Sequence, residues 1–128
     1  EVWQANTHGR YTHQSDRNTA PLDPNFEGYA VLTTDGEGRY RFRSIKPGAY
    51  PEDSGAMRAP HIHFDVLGRH NRLVTQMYFA GEPLNDTDRI IQTAAAANRH
   101  RLIVPFERPA SPAAQDGLVG SWDIVLDG

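Results

Sequence analysis

His61-Ile62-His63-Phe64 sets two imidazoles one residue apart. On an extended stretch side chains alternate, so His61 and His63 share one side while Ile62 and Phe64 take the other. Their Cα atoms would lie about 7 Å apart, two strand rises, which lets both rings converge on one metal ion. Apolar Ile62, Phe64 and Val66 predict a well-buried opposite face. Two histidines do not close a metal site, and the pair also fits a half-exposed strand with two polar residues. The chain has no cysteine, which excludes disulfides, thiolate metal sites and cysteine nucleophiles together. Further ligands must then be His, Tyr or carboxylate. Gly9-Arg10-Tyr11 and Pro47-Gly48-Ala49-Tyr50-Pro51 each place a tyrosine in irregular, Gly/Pro-punctuated chain. A loop tyrosine is more often packing than ligand. A phenol ionises only near pH 10, so ligation at neutral pH requires a strong Lewis acid. Ferric iron is such an acid, and phenolate oxygen with imidazole nitrogen suits it better than zinc. A zinc hydrolase or cupin-type oxygenase on the same two histidines would instead need a third His or a carboxylate.

These residues must be held by short apolar runs, because 11 glycines and 9 prolines punctuate the 128 residues throughout. That spacing predicts an all-β protein, a β-sandwich with long loops at one end and at most one short helix. A hairpin is expected over residues 28–43, with Asp35-Gly36-Glu37-Gly38 as its turn and Tyr40 and Phe42 facing inward between three arginines. Further strands are expected near 60–67, 73–79, 101–106 and 120–126. The helix is expected from about 86 to 97, capped by Asn85, with Asp88 in its first turn and four alanines favouring the state. Residues 7–27 and 44–59 are long irregular stretches of the kind that carry function.

Length fits one domain, and 38% hydrophobic with 23% charged residues describes an ordinary globular chain. A formal charge of −3 without any basic run argues against nucleic acid as partner. No apolar run reaches a membrane span. The chain opens without Met inside a strand-like stretch, which reads as a processed, partial or truncated sequence.

Beyond these residues, a series of motifs resembles the intradiol ring-cleavage dioxygenases, and within them the β-type subunits that cleave protocatechuate. The matching blocks are Val2-Trp3-Gln4-Ala5-Asn6, Gly9-Arg10-Tyr11, Ala20-Pro21-Leu22-Asp23-Pro24-Asn25-Phe26, Gly38-Arg39-Tyr40-Arg41-Phe42-Arg43 and Ile45-Lys46-Pro47-Gly48-Ala49-Tyr50-Pro51. Arg58-Ala59-Pro60-His61-Ile62-His63-Phe64, Thr75-Gln76-Met77-Tyr78-Phe79 and Trp122-Asp123-Ile124-Val125-Leu126 continue them in the family's order. The resemblance implies a ferric iron, Fe(3+), held by Tyr11 and His61 as equatorial and Tyr50 and His63 as axial ligands. Arg58 would stabilise charge on the substrate, Tyr50 would double as an internal base, and Trp3 and Gln76 would line the pocket. The implied reaction is intradiol cleavage of a catechol, with protocatechuate favoured, by dioxygen to a cis,cis-muconate-type diacid. Catechol or hydroxyquinol as substrate, or a non-catalytic β-sandwich binding module, are the alternatives. Residues 1–128 would form one catalytic domain lacking the family's N-terminal arm and first strands. A sister α-type subunit or a homo-oligomer would be its partner, and its location cytoplasmic. The chain departs from the family at Glu52, where Trp commonly follows Tyr-Pro. His8, His13, His70 and His100 are expected at the surface or in support, with His13 the best placed for support.

Overall fold

His61–Leu67 (β5) and Arg72–Phe79 (β6) form the longest ladder of the computed structural model, which describes residues 1–110 and 117–127. Val2–Trp3 (β1) pairs with the other side of β5, Tyr29–Ala30 (β2) with β1, and Ile103–Val104 (β7) runs parallel to β6. The sheet order is thus β2-β1-β5-β6-β7. Tyr50–Pro51 (β3) and Met57–Arg58 (β4) make a separate antiparallel ribbon. Residues opposite each other in an antiparallel ladder share a face. The pairs His61–Tyr78, His63–Gln76 and Trp3–His63 therefore build one face, and Ile62–Met77 and Val2–Phe64 the other.

The second face is the main core. Val2, Ile62, Phe64, Met77, Phe79 and Val104 are buried there. Leu32, Tyr40, Phe42, Phe106, Trp122 and Ile124 cover it as a second layer. Phe64 sits at its centre, meeting Trp122 at 5.0 Å, Phe42 at 6.0 Å and Tyr40 at 6.1 Å, each edge to face. Burying one such side chain is worth about 1.5–3 kcal/mol. The covering segments keep the expected alternation: Tyr40 and Phe42 turn in while Arg39, Arg41 and Arg43 stay exposed, and Trp122, Ile124 and Leu126 alternate with exposed residues. The Asp35 turn also forms, with the Asp35 carboxylate accepting the amides of Glu37 and Arg39. Its flanks, however, make no regular ladder with each other. Their place is set by side-chain packing and by single bonds such as Tyr40 Oη to the Trp122 carbonyl, 2.8 Å.

The helix expected over 86–97 does not form. Three 3-10 turns stand there instead, at Pro83–Asp86, Ile91–Thr93 and Ala96–Leu102. Ala94 and Ala95 are extended, with ψ of 143° and 136°, which interrupts the alanine run. Alanine's helix preference amounts to tenths of a kcal/mol per residue. Seating Ile91 against Ala59 and Tyr78 on the first face of the sheet outweighs it. Asn85 donates its side chain to the Phe79 carbonyl rather than capping a helix. No helix among the described residues is long and apolar enough to cross a membrane.

Candidate metal centre

Two loops reach over the first face of the sheet, and glycines let their backbones touch. Gly9 has φ +81°, and a Cβ there would stand 2.3 Å from the Ala49 carbonyl oxygen. A Cβ on Gly48 would stand 2.3 Å from the Thr7 carbonyl oxygen. Asn6, buried, joins them: its carbonyl accepts the amides of Gly9 at 3.0 Å and Gly48 at 2.9 Å, and its side chain accepts those of His8 and Arg10. Tyr11 and Tyr50 each lie two residues beyond one of these glycines, so the contact brings both phenols over His61 and His63.

Tyr11 Oη lies 3.1 Å from Tyr50 Oη, 3.2 Å from His61 Nε2 and 2.8 Å from His63 Nε2. His61 Nε2 lies 3.3 Å from Tyr50 Oη and 3.1 Å from His63 Nε2. Tyr11 and His61 thus touch all three of the others, while Tyr50 and His63 are not bonded to each other. Donors about 2.0–2.2 Å from a common first-row metal fall roughly 3 Å apart, so these spacings suit one cation at the centre. The donor chemistry agrees. His61 Nδ1–H donates to the Ala59 carbonyl at 2.6 Å, which leaves a lone pair on its Nε2. Two phenol oxygens and two imidazole nitrogens thus lie together, a donor set that a hard, highly charged cation accepts. Among the described residues no group of three or more His, Cys, Asp or Glu could hold a metal, so such an ion must use the phenols.

Electrostatics prepares the histidines and resists the phenolates. Burial pushes His61 down to about 4, with the Arg58 charge adding to it against the Ala59 bond. Burial, then the neighbouring His61 and Arg58, pushes His63 down to about 3. Both rings are therefore neutral and available as ligands at pH 7. Burial raises both tyrosines. The Arg58 charge works against that rise at both.

Trp3 stacks on His63 at 4.8 Å and 6°. Arg58 is buried rather than at the surface, and it sits opposite Tyr50 in the β3–β4 ribbon. The chain bends through Ala59 and Pro60 before β5, which brings Arg58 to the same side as His61 although an extended run would separate them. Its Nε donates to Asp88 at 2.8 Å and its Nη2 to Gln76 Oε1 at 2.6 Å. Gln76 thus touches Arg58. Glu52, at the departure from the family, takes a forked bond from Arg89 at 2.7–3.0 Å. His8, His13, His70 and His100 are exposed, and His13 lies against the Tyr11 ring at 5.4 Å. The sequence reading missed Asn6, Tyr78 and the structural use of Asp88. The repeated Gly-x-Tyr spacing was the available signal for the loop contact.

A sequence profile of a family described as dioxygenase matches residues 1–128. The protocatechuate 3,4-dioxygenase beta chain of Burkholderia cepacia is 51% identical over all of this chain and 56% of its own length. Catechol 1,2-dioxygenase of Candida albicans is 32% identical over 99% of this chain and 43% of its own. Among solved structures, catechol 1,2-dioxygenase from Pseudomonas arvilla C-1 superposes with a TM-score of 0.64 at 29% identity, over 94% of this chain and 41% of that one. The chain spans about half the length of the relatives it matches.

Proposed function

This chain belongs to the intradiol ring-cleavage dioxygenase family, and from that premise we propose that it cleaves a catechol with dioxygen at a ferric iron held by Tyr11, Tyr50, His61 and His63. The observation that carries the proposal is the closing of two phenol oxygens and two imidazole nitrogens to 2.8–3.3 Å of one another. All four side chains would hold the ion, Tyr11 and His61 each touching the other three. Protocatechuate is the proposed substrate, on the 51% identity to a chain named for it. That chain's designation as a beta chain also supports an α-type partner subunit here, in a cytoplasmic enzyme.

Bound iron would supply a strong Lewis acid that takes up both catechol oxygens and makes the ring reactive toward dioxygen. Tyr50, at one end of the donor set, would accept a catechol proton as an internal base. Tyr11, His61 and His63 would continue to hold the ion. Trp3 holds the His63 ring flat against itself. Arg58 offers a permanent positive charge beside the donors, since a guanidinium keeps its proton near neutral pH. In the overall reaction the bond between the two hydroxylated carbons breaks, and both atoms of dioxygen enter the diacid.

Oxygen uptake by the iron-loaded protein against protocatechuate, catechol and hydroxyquinol tests the reading. Stoichiometric diacid with protocatechuate the best substrate is expected, together with a red colour from phenolate-to-iron charge transfer. A colourless, zinc-bearing protein without oxygen uptake would sink it.

A further inference from the structure

Asp88 is a fully buried carboxylate with five donors, and nothing in the proposed chemistry uses it directly. Its Oδ2 accepts Arg58 Nε and the Ala59 amide, both at 2.8 Å. Its Oδ1 accepts the Ile90 amide at 3.0 Å, the Ile91 amide at 3.1 Å and the Tyr78 hydroxyl at 3.2 Å. Two lines run from it, one to Arg58 beside the donor set and one to His61. One is Arg58, whose Nη2 goes on to Gln76 and, at 3.3 Å, to Tyr78. The other is the Ala59 residue, whose amide Asp88 holds and whose carbonyl takes the His61 Nδ1–H at 2.6 Å.

We infer that Asp88 is a positioning residue for the iron site, fixing the direction of the Arg58 guanidinium and, through Ala59, the plane and tautomer of the His61 ring. The inference rests on the functional reading above. A long arginine side chain has many rotamers, so a charge meant to act from a fixed place needs an anchor that removes that freedom. The anchor is one carboxylate oxygen shared between Arg58 and the backbone just before β5, which locks the guanidinium to the same frame that carries the histidines. The other oxygen holds the turn at Ile90 and Ile91, so the anchor itself cannot swing. Burial would raise the Asp88 carboxyl, but Arg58 and the amides of Ile91 and Ala59 hold it below its ordinary range, so the group is charged at pH 7. Partners of this kind around a metal ligand or a catalytic charge typically contribute 10–100-fold, about that much being expected here.

Asp88→Asn, Arg58→Ala and the double variant are compared as iron-loaded full-length protein. Asp88→Asn is expected to keep its iron, lose about 10–100-fold in turnover with a smaller change in KM, and shift the visible phenolate-to-iron band. The double variant should turn over no more slowly than Arg58→Ala, yet still show the band shift relative to it, because the Ala59 line does not pass through Arg58. Equal losses from Asp88→Asn with and without Arg58, or an unchanged band, would overturn the inference. So would failure of both Asp88→Asn and Asp88→Glu to fold, which would make the carboxylate a fold determinant alone. Full turnover by Arg58→Ala would instead strike the role given to Arg58, and is read without touching Asp88.

Discussion

Tyr11 and Tyr50 are both phenols over the same two histidines, but their surroundings differ enough to separate their roles. Tyr11 contacts three donors and is deeply buried, so its loss opens the centre of the set. Tyr50 contacts two and stands at one end. Tyr11→Phe is expected to lower iron content after purification. Tyr50→Phe should retain most iron, shift the visible band and slow the binding of catechol, since a proton acceptor is gone. Visible spectra and stopped-flow binding of both variants decide it, and wild-type behaviour in both would reject the ligand assignment. Arg58 belongs to the same scale. Removing a preorganised charge typically costs about 10²–10³ in rate, roughly 3–4 kcal/mol. Arg58→Ala should therefore keep its colour and still bind catechol while turning over that much more slowly in steady-state oxygen uptake.

At the scale of elements, the site is a meeting of one rigid ladder with two loops. The ladder supplies His61 and His63 with Gln76 and Tyr78 alongside, and a slip of one residue would turn all four into the core. The loops are held by backbone contact at Gly9 and Gly48, where no Cβ fits. Gly48→Ala puts its methyl against backbone oxygen, which cannot step aside as a side-chain tip could. We expect this variant to separate Tyr50 from Tyr11 and weaken iron binding at least tenfold, with β5 and β6 intact. Competition with a chelator measures the affinity, and far-ultraviolet circular dichroism reports the sheet; unchanged affinity would show that the loops meet by other means. The same division explains what was legible in the residues. Period-two alternation reported the ladder and both histidines, because a strand exposes its pattern locally. The covering segments around Tyr40 and Trp122 were legible as alternation but not as irregular chain, since packing rather than hydrogen-bond pairing places them. The helix expectation failed for the opposite reason. Local alanine propensity was real, but burial of Ile91 and the bonds from Asp88 to Arg58, Ala59 and Tyr78 are contacts with other elements that local sequence does not display.

For the molecule as a whole, the proposed metal centre would also be a stability term. The two sheet faces do different work: one is an apolar core, and the other buries imidazoles and phenols in mutual contact. Iron bound to the folded chain alone adds RT ln(1 + [L]/Kd), so stripping it should lower Tm. The iron-free protein should also be acid-sensitive, with a definite sign. His61 and His63 titrate at about 4 and about 3 when folded, below the ordinary 6.5. Below 6.5 the unfolded chain takes up protons that the folded chain refuses. Stability is therefore fully present above 6.5 and is lost as pH falls toward the folded values, by at most ~1.4 kcal/mol per pH unit for each ring. Asp88, whose carboxyl is held below its ordinary range, begins to lose its contribution only near the ordinary carboxylate value, well below where the histidine loss begins. His63→Gln removes one ring from the balance. Thermal melts of the iron-free protein between pH 7 and 4.5 should thus show a shallower fall for His63→Gln than for the parent, and parallel falls would mean that the buried ring takes up its proton without cost to the fold.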